Sequence, residues 1–116
     1  MIKYVKASDD YNEIYTSINL AGTDYELFIV GVPMGVGDNG EFEYAIIIEL
    51  HNVFNSHMTE IDGAKLCSII PALRNFHTLD NIYADEIKDV MSDIKNYFRG
   101  LEPYVVDNIA NDFARN

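Results

Sequence analysis

The 116-residue chain has the length of one ordinary domain, long enough to bury a core without metals or disulfides and too short for two domains. Hydrophobic residues make up 48% of it, which excludes a disordered composition, while 19 acidic against 8 basic residues give a net charge of −11. This negative field repels phosphate backbones and attracts basic surfaces, so it disfavours direct nucleic-acid binding and favours a positively charged protein partner, unless it serves only solubility.

Targeting and membrane segments are not predicted. The opening residues hold no apolar run of the signal-peptide type, and the longest apolar stretch, residues 27–32, is far shorter than the roughly 20 residues of a membrane span. We therefore expect a cytoplasmic protein that does not contact a membrane. The single cysteine, Cys67, lies among apolar residues and is expected to be a buried, unreactive thiol.

The first third of the chain predicts strands. Residues 2–6 favour a short strand, and residues 10–20 allow two interpretations. Tyr11, Ile14 and Ile18 have the spacing of a helix, whereas Ile14, Thr16 and Ile18 alternate as in a strand. Because a hairpin loop at 21–24 leads into a clear strand, we favour a strand over residues 13–20, with a helix as the alternative.

Two further strands are predicted over residues 25–33 and 41–51, joined by a loop that ends in Asp38-Asn39-Gly40. Residues 35–40 also match the dinucleotide-binding pattern G-x-G-x-x-G. That pattern needs a helix at its end, and here a strand follows, so we interpret it as a hairpin loop. Both strands are apolar at successive positions, which calls for helices on both faces of the sheet or for a partner.

From residue 59 onward the apolar residues recur every three to four positions, which predicts three helices. The first covers about residues 60–76, with a kink expected at Pro71, and the second covers about residues 80–99. Gly100 is expected to end the second helix at its C′ position, and Pro103 to lie in the first turn of the third.

The predicted fold is α+β: one domain over residues 1–116, with an antiparallel three-stranded β-meander followed by three α-helices. The predicted core consists of Leu27, Ile29, Ile46, Ile48, Leu66, Ile69, Leu73, Val90, Ile94, Ile109 and Phe113.

No pattern in the sequence supports a catalytic residue, a metal site or a cofactor. His51, His57 and His77 lack the paired spacing of metal ligands, and many carboxylates are present without a pair that lies in an apolar setting. An enzyme is therefore unsupported by the sequence.

One acidic surface is a candidate site on the second predicted helix, with Lys88 and Lys95 on the opposite flank. Carboxylates four residues apart repel each other and stand about 6 Å apart along a helix, close to the interval between phosphates on a nucleic-acid strand. Such a row can occupy a basic groove built for DNA or RNA. This acidic patch consists of Asp85, Glu86, Asp89 and Asp93.

The opening segment Lys3-Tyr4-Val5-Lys6-Ala7-Ser8 resembles the starts of many short, uncharacterised proteins encoded by phages and mobile elements of Gram-positive bacteria. The resemblance implies a cytoplasmic accessory protein. Small acidic phage proteins of this kind include inhibitors of host nucleic-acid enzymes, such as antirestriction and anti-CRISPR proteins. The resemblance assigns no functional residue.

Two classes of function follow. The first is a protein-binding domain that inhibits a basic, nucleic-acid-processing protein through its acidic patch. The second is a small ligand-binding domain or enzyme that uses a cleft between sheet and helices together with the 33–40 loop. The apolar runs at 27–32 and 45–48 also favour a homodimer, because helices on one side cannot cover both faces of the sheet.

Overall fold

The computed structural model describes residues 2–6, 12–38 and 40–114, and it has the predicted α+β class, with one antiparallel sheet and three α-helices. The strands are β1 (Ile2–Lys6), β2 (Asn12–Asn19), β3 (Tyr25–Val36), β4 (Phe42–Asn52), β5 (Met58–Ile61) and β6 (Ile82–Tyr83). The helices are α1 (Gly63–Ile69), α2 (Ile87–Arg99) and α3 (Pro103–Ala114), with a 3₁₀ turn at Pro71–Leu73.

The strands follow the order β1-β2-β3-β4-β5, and β6 pairs with β4 on the edge that β5 also uses. Between β5 and β6, the Ile46 amide donates to the Leu79 carbonyl at 2.7 Å. The predicted strands at 13–20, 25–33 and 41–51 form the centre of this sheet, so the strand interpretation of residues 13–20 is confirmed. The prediction of a three-stranded sheet is wrong, because β1, β5 and β6 extend it to six strands.

The β3–β4 hairpin contains the glycines of the G-x-G-x-x-G pattern. β3 runs to Val36, past a bulge between Pro33 and Gly35, where Gly35 has a φ of 125° that an L-residue rarely adopts. The Gly37 amide donates to the Glu41 carbonyl at 2.8 Å, and β4 begins immediately afterwards. The pattern therefore forms a hairpin, as predicted, although its loop is shorter than residues 33–40.

The first predicted helix is shorter than expected at both ends. α1 begins after Asp62, whose carboxylate accepts a hydrogen bond from the Ala64 amide at 2.9 Å. It ends at Ile69 because the next residue, Ile70, precedes Pro71 and is extended, with φ −86° and ψ 113°. Pro71 therefore ends the helix instead of kinking it, and the prediction of one helix over 60–76 is wrong.

The second predicted helix is wrong at its start. Residues 82 and 83 pair with β4, residues 84–86 form a turn, and α2 begins only at Ile87. Gly100 ends α2 as predicted, as its C-cap residue with φ −86° and ψ −4°. α3 begins at Pro103, as predicted. None of the helices in the described ranges is long and apolar enough to cross a membrane.

The helices pack on one face of the sheet. Gly31 lies on that face, and a Cβ at this position would meet Ile87 Cδ1 at 3.2 Å, so α2 approaches β3 closely. The predicted core is largely confirmed: Ile109 and Phe113 are partly buried against it, and Ile69 is the exception, 42% exposed on α1. The fully confirmed members are Leu27, Ile29, Ile46, Ile48, Leu66, Leu73, Val90 and Ile94.

Candidate functional site

The second face of the sheet is not covered by the described helices, and we call it the open sheet face. Direct partners in neighbouring strands share a face, so the register defines its members on β2 to β6. None of these residues is buried, whereas on the opposite face Leu27, Ile48 and Leu50 have no exposed surface. The open sheet face comprises Tyr15, Ser17, Asn19, Glu26, Phe28, Val30, Val32, Glu43, Ala45, Ile47, Glu49, His51, Met58, Glu60 and Tyr83.

The centre of the open sheet face is apolar. Tyr15, Val30 and Ile47 are aligned across β2, β3 and β4, and Ile47 is 36% exposed. Phe28 lies on the next row toward the hairpin of β4 and β5, and Val32 pairs with Ala45 on the row in the other direction. The face therefore presents a band of apolar side chains that span three strands, which on a sheet in water leaves apolar surface uncovered.

Carboxylates lie at both ends of the apolar band. Glu49 pairs with Glu60 across β4 and β5, and Glu26 pairs with His51 one row further along. At the other end Glu43 pairs with Tyr83. Among the described residues of β2 to β6, no lysine or arginine lies on this face, and on the edge strand β1 Lys3 pairs with Tyr15 of the central row. The open sheet face is therefore an apolar band between acidic ends.

The acidic end near β5 is ordered by a local contact. His51 Nε2 lies 2.9 Å from Glu49 Oε1, within hydrogen-bonding distance. The imidazole ring also contacts the Phe28 ring, with the two ring centres 4.4 Å apart and the ring planes tilted by 47°. These contacts fix the Glu49 carboxylate beside the aromatic edge of the apolar band, so charged and apolar groups are held close together.

The acidic patch lies in the helix layer, on the other side of the sheet. Asp89 and Asp93 are on successive turns of α2, whereas Asp85 and Glu86 belong to the turn before it. The prediction that all four carboxylates lie on one helix is therefore wrong, although both preceding carboxylates lie where the helix dipole favours negative charge. Asp85 and Asp89 are exposed, and Glu86 and Asp93 are partly exposed.

Charges on α2 are separated as the sequence predicts. With 3.6 residues per turn, Asp89 and Asp93 lie on one flank of the buried stripe, and Lys88 and Lys95 lie on the other. Arg99, which was not among the predicted residues of this surface, also lies on the basic flank. Within the described residues, the four carboxylates of the acidic patch form no ion pair and no side-chain hydrogen bond.

A cleft of about 480 Å³ opens at the β4 edge, in the gap between β5 and β6. Ile46, Ile61 and Leu79 form apolar walls, and exposed Glu60 and Asp80 stand at the opening. The described residues that line it come from 45–47, 60–64, 78–80 and Phe113. The 33–40 loop contributes none of them, so the cleft and the loop do not form one site.

No known protein family, curated protein or solved structure matches this chain. Function is therefore inferred from the chemistry of these surfaces.

The histidines and the cysteine lie apart from one another. His51 is on the open sheet face, while His57 and His77 are exposed in connecting segments. Among the described residues, no three His, Cys, Asp or Glu side chains are placed to hold one metal ion. Burial raises the pKa of the Cys67 thiol, and the negative charge of Asp62 raises it further, so the thiol stays protonated at neutral pH.

Proposed function

We propose that this chain is a small cytoplasmic protein-binding domain that recognises a positively charged protein through its acidic surface. The observation that carries the proposal is the uncompensated charge of the acidic patch, whose four carboxylates have no ion pair within the described residues. A net charge of −11 adds a long-range field that attracts a basic partner. A partner that normally binds nucleic acid is favoured, because its basic groove would accept carboxylates where phosphates otherwise lie.

Two residues of the acidic patch have the phosphate-like spacing. Asp89 and Asp93 are four residues apart on α2, which separates them by about 6 Å along the axis. Asp85 and Glu86 add charge beside them without continuing the helical interval. In this proposal the domain inhibits its partner by occupying a groove meant for DNA or RNA.

Affinity capture tests this function. The native protein, immobilised and exposed to a lysate of a Gram-positive bacterium, should recover a basic nucleic-acid-processing protein at low salt and less of it at high salt, because salt screens exposed charges beyond about 8 Å. The triple variant Asp85→Asn, Asp89→Asn, Asp93→Asn should recover less at low salt. Its association rate with the recovered protein should fall more than its dissociation rate rises.

A matched variant separates the patch from net charge. Asp24→Asn, Asp107→Asn, Asp112→Asn also changes three exposed aspartates and also moves the net charge from −11 to −8. If both triple variants recover the partner equally, the acidic patch has no special role. Recovery of no basic protein by the native chain at low salt would contradict the proposed function itself.

A second candidate function is binding of a small ligand in the cleft between sheet and helices. The cleft has apolar walls and carboxylates at its opening, a combination that suits an amine with an apolar body. A thermal-shift screen against nucleotides, metal ions and alkyl amines tests it, because a ligand that binds only the folded state raises the melting temperature. A clear stabilisation by one of these classes would favour this function over protein binding.

A further inference from the structure

None of the described helices covers the open sheet face, and its composition limits what can cover it. The aligned trio Tyr15, Val30 and Ile47 occupies its centre, so a partner gains hydrophobic free energy only if it places apolar groups there. A partner that is basic throughout would not remove this surface from water.

The ends of the same face add an electrostatic requirement. Glu26, Glu49 and Glu60 lie at one end of the apolar band and Glu43 at the other, while Lys3 on the edge strand β1 pairs with Tyr15 of the central row, away from both ends. A surface that covers the band brings its own border against these carboxylates. Lysine or arginine on that border is attracted, whereas aspartate or glutamate is repelled and loses its water.

A second copy of this chain is a poor cover by the same criterion. Each copy carries a net charge of −11, and apposition of two open sheet faces would bring two sets of acidic ends, each with Glu26, Glu43, Glu49 and Glu60, into the same interface. Interfaces bury apolar centres inside polar rims, and a rim of one sign on both partners opposes association. Charge complementarity therefore favours a different protein.

We infer that the open sheet face is the docking surface for a partner protein whose contact region has an apolar centre and a border of lysine and arginine. The inference rests on the proposed function for the positive charge of the partner. It adds to that function the surface on which the partner docks and the apolar contact that holds it there. Burial of the apolar band slows dissociation, while the acidic patch in the helix layer speeds approach through its field.

A defined probe tests the inference without knowledge of the natural partner. A synthetic amphipathic leucine–lysine helix has an apolar stripe between lysine borders, and polylysine has the charge without the stripe. Each is titrated into the isotope-labelled protein, and amide chemical shifts are followed by NMR. The amphipathic peptide should shift amides around Phe28, Val30, Ala45 and Ile47, and polylysine should bind more weakly and without that localisation.

Two isoleucines provide a matched pair of variants. Ile47 on the open sheet face is 36% exposed, and Ile69 on α1 is 42% exposed. Ile47→Lys and Ile69→Lys therefore place the same charge at positions of similar exposure and change the net charge equally. Ile47→Lys should weaken peptide binding roughly tenfold or more, because it sets a cation against an approaching basic surface and interrupts the apolar band. Ile69→Lys should change it little.

The outcomes separate this inference from the proposed function. Peptide-induced shifts centred on α2, or equal effects of the two variants, would overturn the open sheet face as the docking surface and leave recognition of a basic partner intact. Failure of both the peptide and polylysine to bind at low salt would contradict the proposed function as well. A stable dimer in sedimentation at micromolar concentration that Ile47→Lys dissociates and Ile69→Lys does not would show that a second copy covers the face, and would overturn the inference.

Discussion

Ile47 and Ile48 are neighbours of the same residue type on opposite faces of β4, and threonine at each position should have very different effects on stability. Ile48 has no exposed surface, whereas Ile47 is 36% exposed. At Ile48, threonine removes two buried carbon groups, about 1.6 kcal/mol, and buries a hydroxyl at roughly 1–3 kcal/mol, a total of about 2.6–4.6 kcal/mol. At Ile47 the hydroxyl reaches water and no closed cavity forms, so we expect about 0.5–1 kcal/mol.

Threonine is β-branched, so both variants keep the strand preference of isoleucine and the comparison isolates burial. Urea unfolding at low micromolar concentration gives both free energies from the midpoint and slope, and the slope should stay unchanged. At about 4 °C per kcal/mol, Ile48→Thr should also lower the melting temperature by more than about 10 °C. Equal destabilisation by the two variants would show that Ile47 is covered, and would refute an open face.

Three further predictions concern packing, charge and pH. Gly31→Ala should destabilise the fold by about 1 kcal/mol net in urea unfolding, because the new methyl lies 3.2–3.3 Å from Ile87 side-chain atoms; a stabilised variant would contradict close packing of α2 on β3. The triple variant of the acidic patch should melt slightly below the native protein, because Asp85 and Asp89 lie at the N-terminal end of α2, where the helix dipole favours negative charge, and this loss exceeds the relief of the single Asp89–Asp93 repulsion; a higher melting temperature would show that the repulsion dominates. Burial raises the pKa of Cys67, so the folded state holds the thiol proton more tightly than the unfolded state. This contributes stability that is fully present below the ordinary thiol pKa of about 8.5 and is lost as the pH rises above it. Stability should therefore fall from pH 8 to 9.5 more steeply in the native protein than in Cys67→Ser, and parallel slopes would contradict the shift.

The central strands could be predicted because their residues carry strong local signals. β3 and β4 are rich in β-branched residues and are joined by a glycine-containing turn. These local preferences agree with the conformation that the folded chain adopts, so the sequence alone indicates the hairpin. β5 and β6 have four and two residues, too few for any periodic signal. β6 exists because Ile82 and Tyr83 pair with β4, a contact between residues about forty positions apart in the chain that no local pattern contains.

The candidate surfaces show the same limit. The acidic flank of α2 could be predicted because helical spacing places Asp89 and Asp93 together. Asp85 is not part of the helix, because residues 82 and 83 pair with β4 and α2 begins only at Ile87. The continuous apolar runs did indicate apolar side chains on both faces of the sheet. The members of the open sheet face could not be named, because the alignment of Tyr15, Val30 and Ile47 depends on strand register.

Dissociation of a captured basic partner is the most direct test of docking on the open sheet face. The partner is bound to immobilised native protein, Ile47→Lys or Ile69→Lys at fixed salt, and its dissociation rate is measured after each variant is shown to be folded. We predict that Ile47→Lys raises the dissociation rate roughly tenfold or more, while Ile69→Lys remains close to native. Equal dissociation rates for Ile47→Lys and the native protein would contradict docking on this face.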